Sequence, residues 1–135
     1  MIRLTLGLMA AASLAACIEA RPDPGSTEAG ARLFAENCAT CHGADARGNG
    51  PTAQLIGVEA PDLTLESQRN GGVFPRDRIR SIIDGLNRDP HFSAVMPEFG
   101  AMDLGETIIV EEEGLATPIP ADLLALSNWI EAQQR

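Results

Sequence analysis

The chain has 135 residues, one domain's worth, with no room for a second sizeable core. Its ten basic residues are all Arg and stand against nineteen carboxylates, a formal net charge of −9. That sign argues against nucleic-acid binding, which depends on neutralising phosphates, and suits either simple solubility or a partner with a basic docking face, reached by salt-sensitive electrostatic steering.

Met1 to Ala16 carries a single charge, Arg3, followed by Leu4, Leu6, Leu8, Met9 and an alanine-rich run. The apolar residues surround the helix instead of forming one stripe, and the segment is too short to stay across a bilayer, so 1–16 reads as a secretory signal. It ends Leu14-Ala15-Ala16-Cys17, which resembles the lipobox of bacterial lipoproteins, whose cysteine is acylated and becomes the first mature residue. The resemblance implies lipidation of Cys17 and attachment to a bacterial membrane through that lipid. Loss of Arg3 with the signal takes the net charge from −9 to −10. Residues 17–25, polar and punctuated by Pro22 and Pro24, read as an extended tether, which leaves 26–135 as the folded domain.

Ser26 or Thr27 is placed to cap a helix with Glu28 in its first turn. Gly30, Leu33, Phe34 and Cys38 then fall on one face, so the helix delivers Cys38 into the run Cys38-Ala39-Thr40-Cys41-His42. Two thiols separated by two residues, with an imidazole directly after the second, suit a covalently attached haem. Each sulfur takes up one vinyl group, and His42 reaches the iron from below. A redox dithiol does not need His in that position. A zinc site needs a third and a fourth ligand, and Cys17 and His91 are the only other Cys and His in the sequence. At this motif the chain resembles the class I c-type cytochromes. The resemblance implies an all-α fold in which N- and C-terminal helices cross, with one or two short middle helices and loops wrapping a single haem c. It also implies a monomer that carries electrons and is not itself an enzyme. Gly30 and Phe34 match the pair through which that family's first helix packs closely on its last.

From 43 to 61 the sequence is turn chemistry, read as a wrapping loop. Pro61-Asp62-Leu63-Thr64 resembles the family's Pro-x-Leu segment, in which the proline carbonyl accepts a hydrogen bond from the far nitrogen of the proximal imidazole and the leucine packs on the ring. That assigns Pro61 and Leu63 to the haem surroundings, with Pro51 as a competing proline. After Asn70-Gly71-Gly72, residues 76–86 show Ile79, Ile82, Ile83 and Leu86 on one stripe of a short helix ending near Gly85. Arg76 and Arg80 lie one turn apart there, read as a solvated helix face or as partners for haem propionates. Val95-Met96-Pro97 offers a thioether in an apolar loop, which makes Met96 the distal iron ligand, with Met102 and His91 as alternatives.

Residues 105–119 depart from the family pattern. Thr107-Ile108-Ile109-Val110, an acidic turn at 111–113 and an extended return from Leu115 predict a small β-hairpin insertion whose acidic tip is solvated or recognises a partner. Pro120 then opens a helix running from Ala121 to Gln134. Its Leu126-Ser127-Asn128-Trp129-Ile130 resembles the family's terminal-helix signature, in which the aromatic, here Trp129, packs over the haem edge. The function implied is one-electron transfer by haem c in the periplasm, shuttling between redox partners. Two other readings stand beside it: a fixed electron-transfer subunit of a periplasmic dehydrogenase or oxidase complex, and a haem protein with a displaceable methionine that senses gas or acts like a peroxidase.

Overall fold

Helix α1 (Thr27–Asn37) starts where the Ser26 hydroxyl accepts a hydrogen bond from the Ala29 amide at 3.1 Å, with Glu28 in the first turn. In this computed structural model, which describes residues 22–87, 95–112 and 114–135, α1 buries Ala29, Gly30 and Phe34. Their partner is the last helix, α6 (Ala121–Ala132), whose residues Leu123 to Ser127 are all buried and whose surface is apolar on almost every side. The two backbones come very close. A Cβ on Gly30 would sit 2.1 Å from the Ala125 carbonyl oxygen and 2.7 Å from Trp129 Cβ. One turn on, Phe34 is 1% exposed and its ring centroid lies 4.2 Å from that of Trp129, the planes tilted by 32°.

Between these helices the chain makes short elements. They are α2 (Ala39–His42), α3 (Pro51–Leu55), a 3-10 turn at Leu63–Leu65, α4 (Glu66–Arg69), α5 (Arg76–Asp84) and a 3-10 turn at Phe99–Ala101. Helix α3 lies inside the stretch expected to be loop. Pro51 occupies its first turn, where a fixed φ helps and the missing N–H costs nothing. In α5, Ile79 and Ile83 are buried as the stripe requires, but the helix ends at Asp84 and Gly85 takes a left-handed conformation, φ 98°. That turn carries Leu86 off the stripe, leaving it 82% exposed.

The fold is not all-α. Strands β1 (Thr107–Glu112) and β2 (Leu115–Pro120) form an antiparallel hairpin, in register from Thr107 opposite Pro120 to Glu112 opposite Leu115. Ile108 and Val110 pack against the core while Ile109 faces outward. The hairpin expected at about 105–119 is therefore present, with β1 two residues longer than its β-branched run. Glu112, assigned to the acidic tip, instead meets Arg80, whose side chain is only 7% exposed. Arg80 donates from both terminal nitrogens to the Glu112 carboxylate, at 2.8 and 2.9 Å, and from Nε to Ser127 Oγ at 3.2 Å. Arg76 pairs with Glu131 of α6 and lies 3.9 Å from Glu112. Of the two arginines read as a solvated helix face or propionate partners, Arg80 is buried and Arg76 stays 45% exposed, and both guanidinium groups bind carboxylates of the protein and tie the hairpin to α5 and α6. A charge this deeply buried is stable only when paired.

Two consequences are measurable. An Ala in a helix interior normally gains about 0.5–1 kcal/mol over Gly. Here the added methyl meets backbone, so Gly30→Ala should instead destabilise by about 1–3 kcal/mol, read from chemical unfolding. The hydrogen bonds from Arg80, against a smaller effect of burial, hold the Glu112 carboxyl below its ordinary value of 4.5. A lowered carboxylate contributes stability above that ordinary value and loses it as the pH falls through the lowered one. Melting temperatures of the native protein should therefore fall more steeply below about pH 4.5 than those of Glu112→Gln, which starts lower and changes less.

Candidate haem-binding site

The C-terminal end of α1 and the single turn of α2 build the site. The Cys38 amide donates to the Phe34 carbonyl at 2.9 Å, so the first cysteine is held by the residue that anchors α1 on α6. The Cys41 and His42 amides both donate back to the Cys38 carbonyl, at 3.1 and 2.9 Å, which winds the motif into one turn. Cys38 and Cys41 are half-buried and not joined to each other. Burial pushes the Cys38 thiol up to about 11, with Cys41 adding to it. A redox dithiol depends on a lowered thiol, so this environment argues against an exchange pair. Among the described residues no three His, Cys, Asp or Glu side chains cluster as a metal site.

His42 is half-buried, and its Nδ1 lies 3.5 Å from the Pro61 carbonyl oxygen. Burial lowers its pKa, an effect partly offset by that carbonyl. A neutral imidazole with Nδ1–H turned to a carbonyl keeps Nε2 free for a metal. Pro51 is occupied elsewhere, opening α3, which is held to the motif by the Thr40–Thr52 hydroxyl contact at 2.6 Å and by the Gly50 amide on the Cys41 carbonyl at 3.1 Å.

Leu63, Met96, Cys38 and Trp129 all pack against the same buried core, which contains Phe34, Ile79, Ile83 and Phe99. Met96 is half-buried. Met102 is 50% exposed and lines a cleft of about 100 Å³ with Leu33, Phe99, Leu104 and Leu126 of that core and its edge. Trp129 contacts the first helix through Phe34. His91 and Cys17 lie outside the described residues.

Sequence reasoning missed how the far side of the site is held. Gln134 and Arg135, beyond the end of α6, hydrogen-bond to Leu63, Thr64, Ser67 and Asp62. These contacts join residues about seventy positions apart, and no local pattern announces them. The adjacent Gln133-Gln134-Arg135 run of strong polar groups after an apolar helix was the only available sign.

The donor set fits haem c. Cys38 and Cys41 would form the thioethers, and His42 and Met96 would supply a nitrogen and a sulfur ligand to the iron. Such an arrangement defines a c-type cytochrome domain. The family model for cytochrome c oxidase, cbb3-type, subunit III matches residues 25–110, and the chain belongs to that family. A cbb3-type cytochrome c oxidase subunit CcoP from Rubrivivax gelatinosus is 43% identical over 63 residues, 47% of this chain and 17% of that protein. The present chain thus corresponds to a small part of that relative's length. No solved structure matches. Membership of a cytochrome c family implies haem c as the cofactor. The family match ends inside β1, so β2 and α6 lie beyond it.

Proposed function

We propose that this chain passes electrons, one at a time, through a single haem c as a fixed subunit of a membrane-associated oxidase complex on the periplasmic side. The observation that carries this reading is the family match, which takes in Cys38, Cys41, His42, Pro61, Leu63 and Met96 in one span. It favours a resident subunit over the freely shuttling carrier that the motif alone suggests. When bound, haem c supplies a ferric–ferrous couple. The protein's part is to hold that group and keep its reactive face closed. Cys38 and Cys41 fix it covalently, and His42 is oriented by the Pro61 carbonyl. Leu63 and Trp129 would belong to the group's apolar surroundings, and Met96 would supply a sulfur ligand that oxygen or peroxide would have to displace. Among the described residues no helix is long and apolar enough to cross a membrane. In this reading 1–16 is a signal, lipidated Cys17 is the anchor, 18–25 is the tether and 26–135 is the haem domain.

Two outcomes are expected. In the ferric spectrum Met96→Ala should abolish the sulfur-to-iron charge-transfer band, while Met102→Ala should leave it intact. Carbon monoxide should not shift the ferrous spectrum of the native protein; a shift would favour the gas-binding reading. In extracts of native membranes the protein should co-elute with stoichiometric oxidase subunits through salt washes. Release as a free cytochrome at modest salt would return the shuttle reading.

A further inference from the structure

Three consecutive backbone carbonyls next to the proximal side of the site are each held by a different donor. Arg69 Nη1 donates to the Asp62 carbonyl at 2.7 Å, Gln134 Nε2 to that of Leu63 at 2.8 Å, and the Arg135 amide to that of Thr64 at 3.2 Å. Side chains add to the grip. Arg135 Nη2 donates to Asp62 Oδ2 at 3.0 Å and Arg135 Nε to Thr64 Oγ1 at 2.8 Å. The Thr64 hydroxyl in turn donates to Asp62 Oδ1 at 2.6 Å, and the Thr64 amide does so at 2.9 Å. The Gln134 carbonyl oxygen accepts from the Ser67 amide at 2.8 Å, so one side chain spans the 3-10 turn and the start of α4. On the other flank the Leu63 amide donates to the Ala46 carbonyl at 2.8 Å.

The residue preceding this held turn is Pro61, whose carbonyl faces His42 Nδ1 at 3.5 Å. That distance is at the outer margin of a hydrogen bond, where a displacement of a few tenths of an ångström decides how strongly the contact is made. A carbonyl that accepts from Nδ1–H makes the imidazole a stronger donor and stabilises the more highly charged metal. The placement of the 62–64 turn is therefore transmitted to the ligand through one peptide.

We propose that Gln134 and Arg135 are positioning residues for His42: by gripping the 62–64 turn from the end of α6, they set the approach of the Pro61 carbonyl and with it the reduction potential of the haem. The inference rests on the haem reading given above. Loosening the grip weakens the ligand's donor strength and favours ferrous iron, so the potential rises.

The test uses the full chain matured with its haem. A Gln134→Ala, Arg135→Ala double variant should raise the ferrous-to-ferric ratio at fixed potential roughly threefold, about 28 mV at about 59 mV per tenfold. The hyperfine-shifted His42 ring-proton resonance should move with it, while the Met96 charge-transfer band persists. Arg135→Lys, which keeps the charge but not the fork, should recover part of the shift. Arg32→Ala, which breaks the exposed Arg32–Glu36 pair on α1, should leave the potential where it is. Should the double variant fail to fold, Thr64→Val reads the same contact, since the Thr64 hydroxyl joins Asp62 to Arg135. A pigmented, folded variant with unaltered potential and unaltered His42 resonance overturns the clamp. A native protein without covalent haem overturns the reading beneath it.

Discussion

The close crossing of α1 on α6 is the constraint from which the rest of the structure follows. Gly30 has no Cβ, so α1 can settle onto the Ala125 carbonyl, and Phe34 then lies flat enough against Trp129 to be almost wholly buried. Because the Phe34 carbonyl accepts the Cys38 amide, the residue that anchors the helix pair also fixes where the haem motif begins. Cofactor attachment and helix packing share one turn of backbone. A few tenths of an ångström at the crossing would be passed directly to the thiols, since packed interiors transmit displacement instead of absorbing it.

A second layer of order is ionic and lies on the opposite face of α6. Arg80 is buried against Ser127 and Glu112, and Arg76 reaches Glu131, so the two-stranded insertion is joined to the helical core by charge as well as by Ile108, Val110 and Ile119. Removing one partner of such a pair would leave an uncompensated charge, which costs far more than the pair gains. The hairpin is thus an integral part of the domain. Its outer face, where exposed Ile109 stands opposite Pro118, remains free of these ties.

Much of this organisation is legible in the residues themselves where the signal is local. The Ser26 cap, the helical spacing of Gly30, Phe34 and Cys38, the Gly85 stop and the β-branched run from Thr107 each act within a few residues, and the corresponding elements are present. The motif at Cys38, Cys41 and His42 is equally local, and the family match agrees with the class of protein it implies. What sequence reasoning misses is long-range pairing between polar groups. Arg80 with Glu112, and Arg135 with Asp62 and Thr64, are contacts between distant residues that follow no period, so a buried arginine looks like a solvated one. Helix α3 is hidden for a different reason: Gly48, Asn49 and Gly50 just before Pro51 outweigh the single turn that the proline starts.

The central claim is that the two thiols beside α1 carry a porphyrin. Intact-mass spectrometry of the protein exported from cells competent in cytochrome c maturation tests it most directly, combined with alkylation of free thiols. The account predicts a mass increased by one haem, with Cys38 and Cys41 inaccessible to the alkylating reagent and the pigment lost in Cys38→Ser, Cys41→Ser. A colourless protein of unmodified domain mass, alkylated at both positions, would contradict it.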